Sequence, residues 1–87
     1  MSRNFKIETH YNRDDVHLRL GGDFDGSSAC ELLITLNALA GAAKRVIVDT
    51  ASLNTVNDFG KGIFERRFLD NTKGPCQVVL EGDKLAV

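Results

Sequence analysis

Apolar and polar positions alternate over the first twenty residues. Phe5, Ile7, Thr9 and Tyr11 are separated by polar residues, and Val16, Leu18 and Leu20 by His17 and Arg19. A period of two puts one face of a strand on a core and the other in water. The turn-forming run Asn12-Arg13-Asp14-Asp15 lies between these segments, so they are predicted to pair as an antiparallel hairpin. His10 and His17 then fall on the solvent side as ordinary strand residues.

The period changes after Gly21-Gly22-Asp23-Phe24-Asp25-Gly26, which reads as a break. Ala29, Leu32, Leu33, Leu36 and Leu39 recur at helical spacing. Ser27 or Ser28 is the predicted N-cap, with Ser28 and Glu31 fitting a capping box. Gly41 ends this helix. The strand Arg45 to Asp49 follows, built on the β-branched run Val46-Ile47-Val48 of a strand buried on both faces, and a helical crossover makes it parallel to its neighbour. The segment from Thr50 to Asn57 reads as a loop, Asp58 as an N-cap, and 59–69 as a second helix with apolar contacts from Ile63, Phe64 and Phe68. A polar turn over Asp70 to Pro75 and a strand Cys76 to Leu80 complete the pattern.

The predicted order is β-β-α-β-α-β: an α/β fold with a mixed four-stranded sheet and helices on one face. Its 87 residues form a single domain spanning 1–87. Such a chain buries roughly 60–65% of its unfolded surface, enough for one core without staples. Hydrophobic residues at 43% and charged residues at 26% are globular values and argue against disorder.

The formal net charge of -1, with both signs interspersed, argues against a nucleic-acid reader. Cys30 and Cys76 have no metal-ligand spacing and read as two reduced, buried thiols. No apolar signal segment opens the sequence and no apolar stretch nears ~18 residues, so a cytoplasmic protein with no direct membrane insertion is expected.

Candidate chemistry concentrates at one pole of the sheet. The residues Asp49-Thr50-Ala51-Ser52-Leu53-Asn54-Thr55-Val56-Asn57-Asp58-Phe59-Gly60 join a strand to a helix start, where free backbone N–H groups and a positive dipole end gather. Asp23, Asp25, Asp49 and Asp58 all fall near strand C-termini or helix starts. They read as a candidate Mg²⁺ or ligand site, or as caps and turn formers. No side chain is placed as an obvious base or nucleophile, and no phosphate-binding loop is present, so no enzyme and no cofactor is expected. Gly60 and Gly62 sit in a first helical turn, where each costs up to ~1 kcal/mol relative to Ala. Close packing of the helix, or of a partner, is expected there.

Three of these segments resemble the STAS domain of bacterial anti-sigma factor antagonists and sulphate-transporter tails. The Gly22-Asp23-Phe24-Asp25 turn is similar to the family's Gly-Glu-Leu-Asp, and Val46-Ile47-Val48-Asp49 to its Val-Val-Leu-Asp. Asp49 to Gly60 is aligned without a gap on Asp-Leu-Ser-x-Val-x-Phe-Ile-Asp-Ser-Ser-Gly. The resemblance spans about three quarters of the sequence. It implies a non-enzymatic regulatory interaction module with a protein partner, an anti-sigma factor or serine kinase, working in signalling and regulation of transcription. An accessory subunit of a lipid-transport ABC complex, with a transporter subunit as partner, is the alternative within the same class.

The sequence departs from the family at its switch. The second Ser of Asp-Ser-Ser-Gly, the phosphoacceptor, is replaced by Phe59, which has no hydroxyl. Asp58 stands where the first Ser would be and Asn57 where the family has Asp. Asp58 is either a helix cap or a permanent charge beside the phosphosite position. Phe59 is either core or an exposed anchor. The expected partner surface comprises Ser52, Asn54, Thr55, Asn57, Asp58, Phe59 and Lys61. Family members continue past the fourth strand with another helix, which here is short or missing. Apolar sheet surface is then expected to be bare, favouring a homodimer or a bound partner.

Overall fold

Val16, Leu18 and Leu20 turn one face of a strand into the floor of the core, and Val46 and Val48 do the same on the strand beside it; all five are 3% exposed or less. The computed structural model describes residues 4–71, 76–82 and 84–85. The elements are β1 (Lys6–Asn12), β2 (Asp15–Phe24), α1 (Gly26–Leu39), β3 (Arg45–Val56), α2 (Asp58–Asn71) and β4 (Gln77–Glu81). The strands lie in the order β1-β2-β3-β4. The hairpin β1–β2 is antiparallel, with the two-residue loop Arg13-Asp14, whereas β2–β3 and β3–β4 are parallel.

Both helices cover the same face of the sheet. From α1, Ala29, Leu32 and Leu36 are buried; from α2, Phe64 is. Leu33, Leu39 and Ile63 pack at the margin of this cluster. The Phe24 ring meets Phe64 edge-on, centroids 6.2 Å apart, and Phe5 closes on Phe24 at 5.9 Å. Each fully buried Phe of this kind contributes roughly 1.5–3 kcal/mol. The side chain of Phe68 and the expected turn at residues 72–75 lie outside the described residues, whereas residues 70 and 71 still belong to α2.

Two strands are longer than the sequence pattern predicts. β2 runs through the expected break to Phe24, and β3 runs through the expected loop to Val56. Arg19 is opposite Asp49, but Gly21 is opposite Ser52; Gly22 is opposite Leu53, but Asp23 is opposite Thr55. β3 thus carries an extra residue at each of two bulges. A bulge shifts the alternation by one position, which is why Thr50 and Leu53 are both buried and the stretch reads as irregular in sequence. Gly22 permits this path: its φ is +86°, and a Cβ there would stand 1.8 Å from the Asn4 carbonyl oxygen.

The cysteines do not share one environment. Cys76 is buried beside β4, and desolvation pushes its thiol pKa up. Cys30 is exposed, contrary to expectation, because it falls one position off the Ala29-Leu32-Leu36 stripe that meets the sheet. Beyond β4, Gly82 (φ +86°) redirects the chain, and Leu85 inserts until it is 1% exposed. Lys84 Nζ donates to the Leu53 carbonyl at 2.6 Å. This segment covers part of the apolar surface that the sequence pattern leaves bare.

Candidate functional site

α1 and α2 both start at the pole where β2 and β3 end, and each start is capped by a residue earlier than predicted. Asp25 caps α1 from an extended conformation (φ -122°, ψ -166°), its Oδ1 accepting from the Ser28 N–H at 3.0 Å. Ser28 is therefore not the cap but a fully buried residue in the first turn. Its hydroxyl lies 3.1 Å from Asp25 Oδ1 and 3.0 Å from the Asp23 carbonyl, tying the β2–α1 junction together. The cap moves upstream because β2 persists to Phe24, leaving Asp25 as the last extended residue.

Asn57 plays the same part for α2. Its Oδ1 accepts from the Phe59 N–H at 2.8 Å and, more distantly, from the Gly60 N–H at 3.4 Å. Its own N–H donates to the Phe24 carbonyl at 2.7 Å, holding the start of α2 against the end of β2. Asp58 is thereby the first helical residue and not the cap. Its exposed carboxylate keeps only the weaker, dipole-derived attraction of a first-turn anion.

Phe59 emerges from this junction 71% exposed. Its ring lies over Gly26, where an added Cβ would come within 3.1 Å of Cδ2 and Cε2. Of the two readings left open by the sequence, the structure has the surface one. Gly60, next in the chain, faces inward against the Asp25 backbone. Close packing therefore accounts for Gly60, but not for Gly62, which has nothing within 4 Å of a built Cβ.

The other predicted surface residues do not all converge here. Thr55 donates its hydroxyl to Asp23 Oδ1 at 2.8 Å, beside the pole. Ser52 lies further back along β3, with its Oγ accepting from Arg19 Nε at 3.2 Å on the sheet face opposite the helices. Asn54 is exposed, and Lys61 extends toward Glu65 at 3.9 Å. Asp23, Asp25 and Asp49 each accept a hydrogen bond from within the chain, Asp49 from the Ala51 N–H at 2.9 Å. Those bonds suit caps and turns. Among the described residues no group of three or more metal-ligating side chains comes together.

A groove between the two helices extends the site in a direction the sequence reading missed. It is open, about 1250 Å³, with Phe5, Cys30, Ile34, Phe59 and Ile63 forming its apolar lining. It continues toward the far ends of the helices as a second hollow of about 620 Å³ beside Arg66 and Arg67. Ile34 is 71% exposed. The signal was present in the sequence: Ile34 is an apolar residue on the side of α1 that the apolar stripe leaves to solvent.

With this geometry the chain is similar to several solved structures. The STAS domain of an anti-sigma-factor antagonist from Rhodobacter sphaeroides superposes with a TM-score of 0.71 at 15% identity, covering 95% of this chain and 91% of that one. The anti-sigma factor antagonist SpoIIAA in its unphosphorylated form gives 0.60 at 22% identity, covering 87% and 70%. The chain folds as a STAS domain. The same STAS-like arrangement matches part of a larger protein, Mglu, with a TM-score of 0.77 at 19% identity over 92% of this chain. There the chain spans only 20% of the matched protein's length. By sequence, neither a family model nor a curated protein matches this STAS-like chain. None of its described helices is long and apolar enough to cross a membrane.

Proposed function

We propose that this domain is a non-enzymatic protein–protein interaction module of a cytoplasmic regulatory system, docking its partner on the pole at the start of α2. The docking residues are Asn57, Asp58, Phe59 and Lys61, extended along β3 by Thr55, Asn54 and Ser52. The observation that carries this reading is Phe59. A helix start anchored by Asn57 and Gly60 holds a large aromatic ring 71% in water, and aromatic side chains of this kind are the usual anchors of interfaces. The fold shared with anti-sigma factor antagonists supports a partner of the anti-sigma factor or serine-kinase type.

Position 59 is also where the family resemblance puts the phosphoacceptor hydroxyl. A phosphoryl group there adds roughly -1.5 to -2 charges at a helix start and remodels the docking surface. Phe59 has no atom to accept it. The module therefore binds without an on/off cycle at that position, with Asp58 supplying a fixed negative charge beside it.

Calorimetric titration of a kinase-type anti-sigma factor with the parent domain and with Phe59→Ala tests the proposal. Loss of at least about tenfold in affinity, with an unchanged melting temperature, is the expected result. Equal binding by parent and variant, or capture of a transporter permease in preference to an anti-sigma factor, overturns it.

A further inference from the structure

We infer that the face of the sheet opposite the helices carries a site for one divalent transition-metal ion of the zinc type, with His10 on β1 and His17 on β2 as its two protein ligands. The site lies across the sheet from both helices and does not depend on the docking proposal.

The first observation is register. His10 and His17 are direct partners in the antiparallel pair of β1 and β2. Side chains so placed leave the sheet on one face, with Cβ atoms about 4.5–5.5 Å apart. A zinc–nitrogen bond is about 2.0–2.1 Å long, so two imidazoles rooted at that spacing can meet on one ion. Both rings line one shallow hollow of about 220 Å³, together with Arg19 and Asp49. The His10 side chain is 68% exposed and that of His17 44%, so both can turn toward the hollow without disturbing the core.

The second observation is what stands behind each ring. Glu8 Oε2 is 3.9 Å from His10 Nε2, and Glu81 Oε1 is 3.7 Å from His17 Nε2. A carboxylate beside Nε2 favours the tautomer with its proton there, which leaves the Nδ1 lone pair for a metal. Metal-binding histidines are commonly oriented by carboxylates in this way. Glu81 arrives from β4, at the far edge of the sheet, so its place behind His17 is a product of tertiary structure.

Charge decides between a cation and an anion. Glu8, Arg19, Asp49 and Glu81 form one row across the four strands, next to the row of His10, His17, Ile47 and Val79. Three carboxylates outweigh one guanidinium, so the hollow attracts a cation. Arg19 Nε donates to Ser52 Oγ at 3.2 Å, on the side of its row away from the histidines. Imidazole donors then select a transition ion over Mg²⁺ or Ca²⁺, which prefer oxygen. Among the described residues no third metal-ligating side chain joins the pair, so water completes the coordination. The ion fastens the edge strand β1 to β2.

Calorimetric titration of Zn²⁺ into the Cys30→Ser domain tests this, the substitution removing the exposed thiol as a competing zinc ligand. One ion per chain is expected to bind and to raise the melting temperature. His10→Gln and His17→Gln are each expected to weaken binding at least about tenfold, with an unchanged melting temperature in metal-free buffer. Equimolar Mg²⁺ is expected not to compete. The absence of saturable binding up to about 1 mM Zn²⁺, binding undiminished by either histidine substitution, or displacement of Zn²⁺ by equimolar Mg²⁺ each overturns the inference. No partner protein enters these readouts, so failure here leaves the docking proposal standing, and the reverse.

Discussion

Gly60 and Asp25 touch through their backbones: a Cβ added at Gly60 would lie 2.4 Å from the Asp25 carbonyl carbon and 2.8 Å from its Cα. The contact seats the first turn of α2 on the residue that caps α1, so the two helix starts are located relative to one another by atoms that have no rotamers to adjust.

Alanine substitution at the two glycines of α2 should therefore have opposite signs. Gly60→Ala forces backbone apart, and overpacking of this kind costs roughly 1–3 kcal/mol, more than the ~1 kcal/mol that helix propensity returns. Gly62 meets nothing within 4 Å of a built Cβ, so Gly62→Ala should stabilise by up to ~1 kcal/mol. Thermal melts of the two variants check this; for a domain of this size 1 kcal/mol corresponds to roughly 4–8 °C. Equal shifts would mean that the Asp25 contact is not tight in solution.

Capping predicts a second contrast between adjacent residues. Asn57→Ala removes the acceptor for the Phe59 and Gly60 N–H groups and should cost about 1 kcal/mol. Asp58→Asn removes only a first-turn charge and should cost roughly 0.3–1 kcal/mol at low salt, fading as ionic strength rises. Urea denaturation at two salt concentrations separates the two, since only the Asp58 effect is screened.

Ser28 offers a third test. Its hydroxyl is fully buried and has two acceptors at the β2–α1 junction. Ser28→Ala should destabilise by roughly 1–3 kcal/mol, the cost of leaving buried partners unsatisfied. A melt within 2 °C of the parent would show that water replaces the hydroxyl.

The thiols should separate both kinetically and in their pH dependence. Cys30 is expected to react promptly with a thiol reagent and Cys76 only as fast as the chain opens. Burial raises the Cys76 pKa in the folded state, so folding favours the protonated thiol. The unfolded chain releases this proton above about pH 8.5 while the folded one retains it. The Cys76 contribution is therefore whole below that pH and is lost as pH rises through the folded pKa. Alkaline denaturation of the parent against Cys76→Ala checks the sign: the parent should lose more stability across that window.

Element order, the α/β class and the core faces are legible along the chain, because these rest on local period. Val16, Leu18 and Leu20 repeat every second residue, and Ala29, Leu32 and Leu36 repeat at helical spacing. Burial follows from such patterns whatever the neighbouring chain does. The pole was legible too, as a β-branched run followed by a polar stretch and a helix start. The remaining features depend on contacts between elements distant in the chain. Thr50 to Val56 is strand, not loop, because β2 pairs with it through two bulges that erase the alternation. Asp25 and Asn57, not Ser28 and Asp58, cap the helices, because the strands carry extended backbone up to those residues. The α1–α2 groove exists only because Gly60 lets one helix start rest on another, bringing Ile34 and Ile63, twenty-nine positions apart, to the same hollow. Local period reports which side of an element is apolar, but it carries no information about which two elements share an edge.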